Sequence, residues 1–120
     1  MKFRVLLAAL ALSACQTMIP APQTPAQTVF LAKGTFLIAV GVANRYKALP
    51  PCPMVVVCSS PAVVAVLQKS ANATDAILDS AETTVRDPAF ANTDAAGKAA
   101  LAATNAVSAL QAITAGLRVQ

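Results

Sequence analysis

The sequence of 120 residues lacks histidine and tryptophan, and only 12% of its residues are charged. Histidine is the commonest general base and metal ligand in proteins, so its absence removes the usual centre of such sites. The sequence also has no glycine-rich phosphate loop and no cysteine–histidine cluster with metal-ligand spacing. We therefore expect a protein that is not an enzyme and that binds no metal or dissociable cofactor.

Basic residues outnumber acidic residues by only a few. The formal net charge is +4. Two of the basic residues, Lys2 and Arg4, belong to a segment that we expect to be removed. Without them seven basic side chains stand against five acidic ones, a net charge of +2. This excess is too small and too dispersed for a nucleic-acid-binding surface, so we expect no nucleic-acid partner.

Apolar residues make up 57% of the chain, but 28 of the residues are alanine. Alanine favours helix and contributes little free energy when it is buried. The composition therefore predicts a helical domain whose core is poor in large side chains. The length allows one domain at most.

The first 14 residues are organised like a secretory signal. Lys2 and Arg4 form a basic start, an apolar run extends from Val5 to Leu12, and small residues follow. A helix of about ten apolar residues spans roughly 15 Å, whereas the hydrocarbon core of a bilayer is ~30 Å thick. Residues 1–14 are therefore predicted to be a cleaved signal peptide and not a transmembrane helix.

The end of this segment, Leu12-Ser13-Ala14-Cys15, resembles the lipobox of bacterial lipoproteins, in which an aliphatic residue and two small residues precede a cysteine. The resemblance implies that the Cys15 thiol receives diacylglycerol, that the chain is cut before Cys15, and that the new amino group is acylated, for example with palmitate. Two or three acyl chains anchor a protein stably, whereas one chain gives only marginal membrane binding. The alternative is an ordinary signal peptide whose cleavage site falls near a cysteine.

The residue after the cysteine bears on location. In enterobacterial lipoproteins an aspartate there favours retention in the inner membrane. Gln16 stands at this position, so the resemblance implies the periplasmic face of the outer membrane. Residues 15–26 are predicted to consist of the lipidated cysteine and an extended tether that contains three prolines. The eleven tether residues, 16–26, reach about 34 Å at ~3.1 Å per residue. Residues 27–120 are predicted to form the folded domain.

The odd number of cysteines agrees with lipidation of Cys15. Three cysteines in an exported protein leave one without a partner unless Cys15 is lipidated. Cys52 and Cys58 are then an even pair in an oxidising compartment, and we predict a disulfide between them. A metal site and a redox pair are the alternatives. Two thiols without histidine supply only half of a zinc site, and redox pairs usually have two intervening residues.

Three segments have helical periodicity, at about residues 27–48, 61–86 and 93–117. Ser60 and Pro61 suit the N-cap and the first position of the second helix. The connection between the second and third helices is short, which predicts that they are antiparallel neighbours. The fold class is therefore all-α, an up-down-up three-helix bundle with a disulfide-closed loop between the first two helices.

Each predicted helix has one core stripe, in which apolar or small residues recur alternately three and four positions apart. The first stripe consists of Val29, Ala32, Phe36, Ala39, Ala43 and Tyr46. The second consists of Val64, Leu67, Ala71, Thr74, Leu78, Ala81 and Val85. The third consists of Ala96, Ala99, Ala103, Ala106, Leu110, Ile113 and Leu117.

The first helix is also apolar on its opposite side, where a surface helix normally carries polar residues. The candidates there for contact with a partner are Phe30, Leu37, Ile38 and Val40. Gly34 and Gly41 lie one heptad apart. Each costs about 1 kcal/mol relative to alanine inside a helix and permits close backbone approach. This helix is either central in the domain or offers apolar surface to a partner.

Two further patterns have structural explanations that we favour. Asp75, Asp79 and Glu82 form an acidic ridge on the second helix. A hard cation needs six or more oxygen ligands, so we expect this ridge to be solvated and to face Lys33 or Lys47. The apolar run 54–57 inside the disulfide loop is predicted to cover the end of the bundle. Its exposure would instead mark an interaction site.

Together these features predict a membrane-anchored periplasmic lipoprotein with a non-catalytic structural or interaction role in the bacterial cell envelope. Its expected partners are membrane lipid, through Cys15, and an envelope protein or a second copy. Two other functions stay open. Small outer-membrane lipoproteins resemble the outer subunit of phage spanin complexes, which act in lysis. Alternatively, the helices carry a small apolar ligand between them.

Overall fold

The computed structural model describes residues 24–53 and 57–117. These residues form three helices, which we call α1 (Pro25–Lys47), α2 (Pro61–Arg86) and α3 (Asp94–Gly116). Each helix packs against the other two, so the predicted all-α three-helix bundle is confirmed. The predicted signal peptide, Cys15 and the tether as far as residue 23 lie outside the described residues.

The start of α1 differs from the prediction, because the helix includes the last two residues that were assigned to the tether. Thr24 is the N-cap, and its hydroxyl accepts a hydrogen bond from the backbone N–H of Gln27 at 3.2 Å. The Gln27 side chain accepts one in return from the N–H of Thr24, also at 3.2 Å. This capping box satisfies two N–H groups at the helix start, and Pro25 suits the first helical position, where no N–H is needed.

The other helix ends agree closely with the prediction. α2 has the predicted bounds, and each end of α3 lies within one residue of them. Ser60 is the N-cap residue of α2, although its side chain makes no capping hydrogen bond. Asp87 ends α2 in an extended conformation with ψ of 119°, as expected for a residue that precedes proline.

The core stripes of α1 and α2 are largely as predicted. The buried residues of α1 are Val29, Ala32, Phe36, Ala39 and Tyr46. Those of α2 are Leu67, Thr74, Leu78, Ala81 and Val85. The remaining stripe residues, Ala43, Val64 and Ala71, are half-buried. Leu78 and Leu110 are the largest fully buried side chains, so few large residues fill the centre of the bundle.

Of the seven residues in the predicted stripe of α3, only three are fully buried. The buried residues are Ala96, Ala100, Ala103, Val107, Leu110 and Thr114. The predicted residues Ala99, Ala106, Ile113 and Leu117 are only half-buried. α3 packs against two helices, and alanine stands at many neighbouring positions, so the apolar pattern did not define which side faces inward. The buried Thr114 hydroxyl donates a hydrogen bond to the Gln111 carbonyl at 3.0 Å.

The loop between α1 and α2 is closed by the predicted disulfide. The Cα atoms of Cys52 and Cys58 are 5.0 Å apart, within the usual range for a disulfide. Two backbone hydrogen bonds join the sides of the loop. The Cys52 N–H donates to the Ser59 carbonyl at 3.2 Å, and the Ser59 N–H donates to the Pro50 carbonyl at 2.8 Å.

Tyr46 links this loop to the bundle. Its phenolic oxygen accepts a hydrogen bond of 2.9 Å from the backbone N–H of Ser60, the N-cap of α2. Beside it the Ser59 hydroxyl donates to the Leu49 carbonyl, also at 2.9 Å. The end of α1 and the beginning of α2 are therefore joined by hydrogen bonds as well as by the disulfide loop.

Candidate partner-binding surface

The most distinctive surface of the bundle is the side of α1 that points away from α2 and α3. Its large side chains are highly exposed: Phe30 is 77%, Leu37 65% and Ile38 68% accessible. Gly34 and Gly41 are exposed between them. These five residues recur three or four positions apart and therefore lie on one side of the helix, which we call the outer face.

Val40, the fourth predicted partner-facing residue, lies elsewhere. It is half-buried and packs against the hydrophobic core. Its side chain also borders a groove between α1 and α2 together with Val64 and Leu67. Consecutive residues of an α-helix are rotated by about 100° relative to each other, which is enough to place Val40 in the bundle and Gly41 in solvent.

The two glycines of α1 do not pack closely inside the bundle, which was one of the two alternatives for this helix. A Cβ atom added at Gly34 or at Gly41 would meet nothing within 4 Å. Close packing of α1 against α2 or α3 therefore does not explain these residues. Since glycine lowers helix stability by about 1 kcal/mol relative to alanine, α1 carries two unfavourable residues on its exposed side without a benefit inside the bundle.

An ion-pair network keeps the only central cation of α1 away from the outer face. The Lys33 ammonium pairs with Glu82 of α2 and lies 4.0 Å from the Asp79 carboxylate. Glu82 also pairs with Arg86. The predicted contact of the acidic ridge is thus made by Lys33, and the outer face is uncharged from Phe30 to Gly41.

Hydrogen bonding shifts the pKa of both main partners. The hydrogen bond from Lys33 holds the pKa of the Glu82 carboxyl below its ordinary value, and the charge of Arg86 acts in the same direction. The same hydrogen bond raises the pKa of the Lys33 ammonium. Both groups therefore keep their charges more firmly in the folded chain than in the unfolded chain.

Basic residues bound the outer face at the C-terminal end of α1. Arg45 and Lys47 lie in the last turn, where cations interact favourably with the helix dipole. Arg45 is exposed and lies four residues beyond Gly41, so it continues the outer face along the helix. The face is therefore an apolar strip that ends in a cation.

The disulfide loop is a second exposed region. Val57 is 60% accessible, so this residue does not cover the end of the bundle as expected. Met54, Val55 and Val56 lie outside the described residues.

Grooves between the helices are the places where a small ligand would bind. One of about 350 Å³ between α2 and α3 is lined by Ala76, Ile77, Ser80, Ala81, Ala99 and Ala102. Its size is at the lower end of the range for ligand pockets, and its lining offers few polar groups to orient a ligand. In residues 24–53 and 57–117 no group of three acidic, cysteine or histidine side chains is placed to hold a metal ion.

By length and composition α1 is able to cross a membrane, since its most apolar 18-residue window has a mean hydropathy of 1.5. The core helix of a soluble protein passes the same test, and one side of α1 is buried against α2 and α3.

No protein family matches the chain, and neither does any curated protein or solved structure. The proposed function therefore rests on the lipobox resemblance and on the outer face of α1.

Proposed function

We propose that this chain is a lipid-anchored protein of the bacterial cell envelope whose helical bundle has a non-catalytic role in binding. The observation that carries the proposal is the outer face of α1, which exposes large apolar side chains to solvent beside two glycines. Large exposed apolar residues that follow one another along a helix are typical of interaction sites. The partner of this face is a component of the envelope.

The anchor is Cys15 with its diacylglycerol and acyl chains, as the lipobox resemblance implies, and the proposed location is the periplasmic face of the outer membrane. Because α1 begins at Pro25, only residues 16–24 separate the anchor from the bundle. Nine extended residues reach about 28 Å at ~3.1 Å each. The bundle is therefore held close to the bilayer, where the outer face meets other envelope components.

Membrane fractionation tests the anchor. The Cys15→Ala substitution is made on a chain whose residues 1–14 are replaced by an ordinary cleavable secretory signal, because cutting at the lipobox itself depends on the lipidated cysteine. This variant is expected in the soluble fraction after a high-salt wash, whereas the unaltered chain stays with the membranes. The Cys52→Ser/Cys58→Ser variant is the matched control, because it also loses thiols but keeps Cys15. Retention of the Cys15→Ala chain in the washed membranes contradicts the acyl anchor.

Cross-linking in cells tests the binding role. A photoreactive amino acid in place of Leu37 on the outer face is expected to link the chain to a second polypeptide. The control places the same amino acid at Leu101 of α3, which is similarly exposed at 61% but lies away from the outer face. Products that are only intramolecular from position 37 contradict the binding role.

A further inference from the structure

The outer face has the form of a surface that pairs with itself. Its apolar knobs, Phe30, Leu37 and Ile38, lie beside two positions without side chains, Gly34 and Gly41. A two-fold symmetric interface uses the same patch on both copies, so the patch must contain both the projections and the hollows that receive them. We propose that the occupant of the outer face is a second copy of this chain, with the two α1 helices antiparallel. This inference rests on the proposed function, because it names the partner of the same surface.

The spacing of the five residues defines the register. A two-fold axis between residues 37 and 38 places Gly34 of each copy opposite Gly41 of the other copy, so the dimer contains two equivalent glycine contacts. Leu37 and Ile38 of both copies then meet at the axis. Two helix backbones approach closely where small residues face each other, and large side chains on either side fill the space beside the contact. This arrangement gives the two glycines the packing role that they lack within one chain.

Charge favours the antiparallel orientation over the parallel one. In the antiparallel register Arg45 of one copy lies at the level of Phe30 of the other, where a guanidinium stacks favourably on an aromatic ring. In a parallel pair that used the same outer face, Arg45 would lie beside Arg45 of the second copy, and the two like charges would repel each other. Lys33 does not disturb either arrangement, because it is paired with Glu82.

The interface would consist of one helix from each copy and is therefore at the small end of the range for specific association. Lipid anchoring compensates, since two copies confined to one membrane have a high effective concentration. In the antiparallel pair the two helix starts lie at opposite ends of the dimer. The short segments 16–24 can then reach one membrane only if both α1 helices lie along its surface.

Disulfide trapping tests the register in the full-length chain in cells. Gly34→Cys and Gly41→Cys, carried on chains with tags of different size, are expected to form a mixed dimer when they are produced together. Each variant alone is expected to give little dimer. Leu101→Cys, on the exposed side of α3, is the control and is expected to stay monomeric. Efficient dimerisation of Gly34→Cys alone, with no preference for the mixed pair, contradicts the antiparallel arrangement.

A second variant separates loss of pairing from loss of folding. Gly34→Leu/Gly41→Leu fills both hollows, and leucine is a better helix former than glycine. Since nothing within a chain is close to either position, the variant is expected to unfold at a temperature at least about 4 °C higher. It is nevertheless expected to lose the copy-to-copy cross-link from position 37. Gly97→Leu on α3 is the matched control, since this glycine is also free of neighbours, and it should keep the cross-link.

The cross-linked products distinguish this inference from the proposed function. Products from position 37 that contain a different protein, or lipid alone, overturn pairing with a second copy. A different protein leaves the broader binding role intact. Dimers that form on a chain whose Cys15 is unmodified support the pairing and contradict the anchor. An unchanged copy-to-copy cross-link in Gly34→Leu/Gly41→Leu also overturns the inference.

Discussion

Tyr46 shows how much a single residue contributes to the join between α1 and α2. Its phenolic oxygen is the acceptor for the Ser60 N–H, and its ring is buried. Tyr46→Phe keeps the ring but leaves this N–H without its partner. We expect the free energy of unfolding to fall by about 1–2 kcal/mol, measured by denaturant titration.

Thr83→Val is the control for that substitution. It also removes one hydroxyl, but this hydroxyl is exposed and bonds only to the Asp79 carbonyl of its own helix. We expect a change of less than about 0.5 kcal/mol. Equal effects of the two variants would show that the contact of Tyr46 with Ser60 has no special importance.

The ion pair between Lys33 and Glu82 makes stability depend on pH in a defined direction. The pKa of Glu82 is lowered from an ordinary value of 4.5. Its contribution is therefore present above about pH 4.5 and is lost as the pH falls through the lower folded value. The pKa of Lys33 is raised from 10.5, so its contribution is complete below that pH and is lost as the pH rises through the higher folded value.

Lys33→Met tests this dependence. The unfolding temperature of the variant is expected to decrease less than that of the unaltered chain between pH 6 and pH 2, measured by circular dichroism. Asp75→Asn is the control. Asp75 lies on α2, as Glu82 does, but it makes no ion pair in the part of the chain that the structure describes. An acid dependence that Lys33→Met leaves unchanged would contradict the role of the pair.

At the scale of the helices, α3 offers a direct comparison of a buried and an exposed leucine. Leu110 is fully buried, whereas Leu101 on the same helix is mainly exposed. Leu110→Ala removes methyl groups from the centre of the core and leaves a cavity, so we expect a loss of about 2–5 kcal/mol. Leu101→Ala should cost less than about 1 kcal/mol. Denaturant titration of both variants measures the difference, and similar losses would contradict the observed orientation of α3.

The helices also show what the sequence determines. The stripe of α2 was predictable because large residues such as Leu78 contrast with acidic residues on the same helix, and the stripe of α1 was predictable from the helical spacing of Val29, Phe36 and Tyr46. The stripe of α3 was not, because alanine occupies positions 99 and 100 alike and gives no such contrast. The start of α1 was missed because Pro25 was taken for part of the tether, although Thr24 and Gln27 have the spacing of a capping box.

The candidate surface was predictable only in part. The apolar character of the outer face follows from the sequence of α1, but the separation of Val40 from its neighbours required the packing against α2. The contact of Tyr46 with Ser60 had no signal in the sequence, since its acceptor is a side chain and its donor is a backbone group 14 residues away.

At the scale of the whole molecule, the disulfide restrains the connection between α1 and α2. Closing a short loop between Cys52 and Cys58 limits the unfolded chain, so we expect Cys52→Ser/Cys58→Ser to lose about 2–3 kcal/mol of stability. Reduction of the unaltered chain should cause a similar loss. The variant should not respond to a reductant, and a further loss on reduction would contradict the account of this loop.

The bundle and its proposed anchor form one functional unit in this account. The described part of the bundle has few large core residues, and the outer face of α1 exposes large apolar side chains, as expected of the small binding domain that we propose. If Cys15 carries the proposed lipid, the nine residues 16–24 reach about 28 Å at ~3.1 Å each. The proposed anchor would then hold α1 near the bilayer and determine which components it meets.

The mass of the mature N-terminus distinguishes a lipidated chain from an unmodified one. The protein is isolated from the membranes of a bacterial host, and its N-terminal peptide is analysed by mass spectrometry. We expect the mature chain to begin at Cys15 and this residue to carry diacylglycerol and an amide-linked acyl chain. An N-terminal peptide with an unmodified Cys15, or one that still contains residues 1–14, would contradict this expectation.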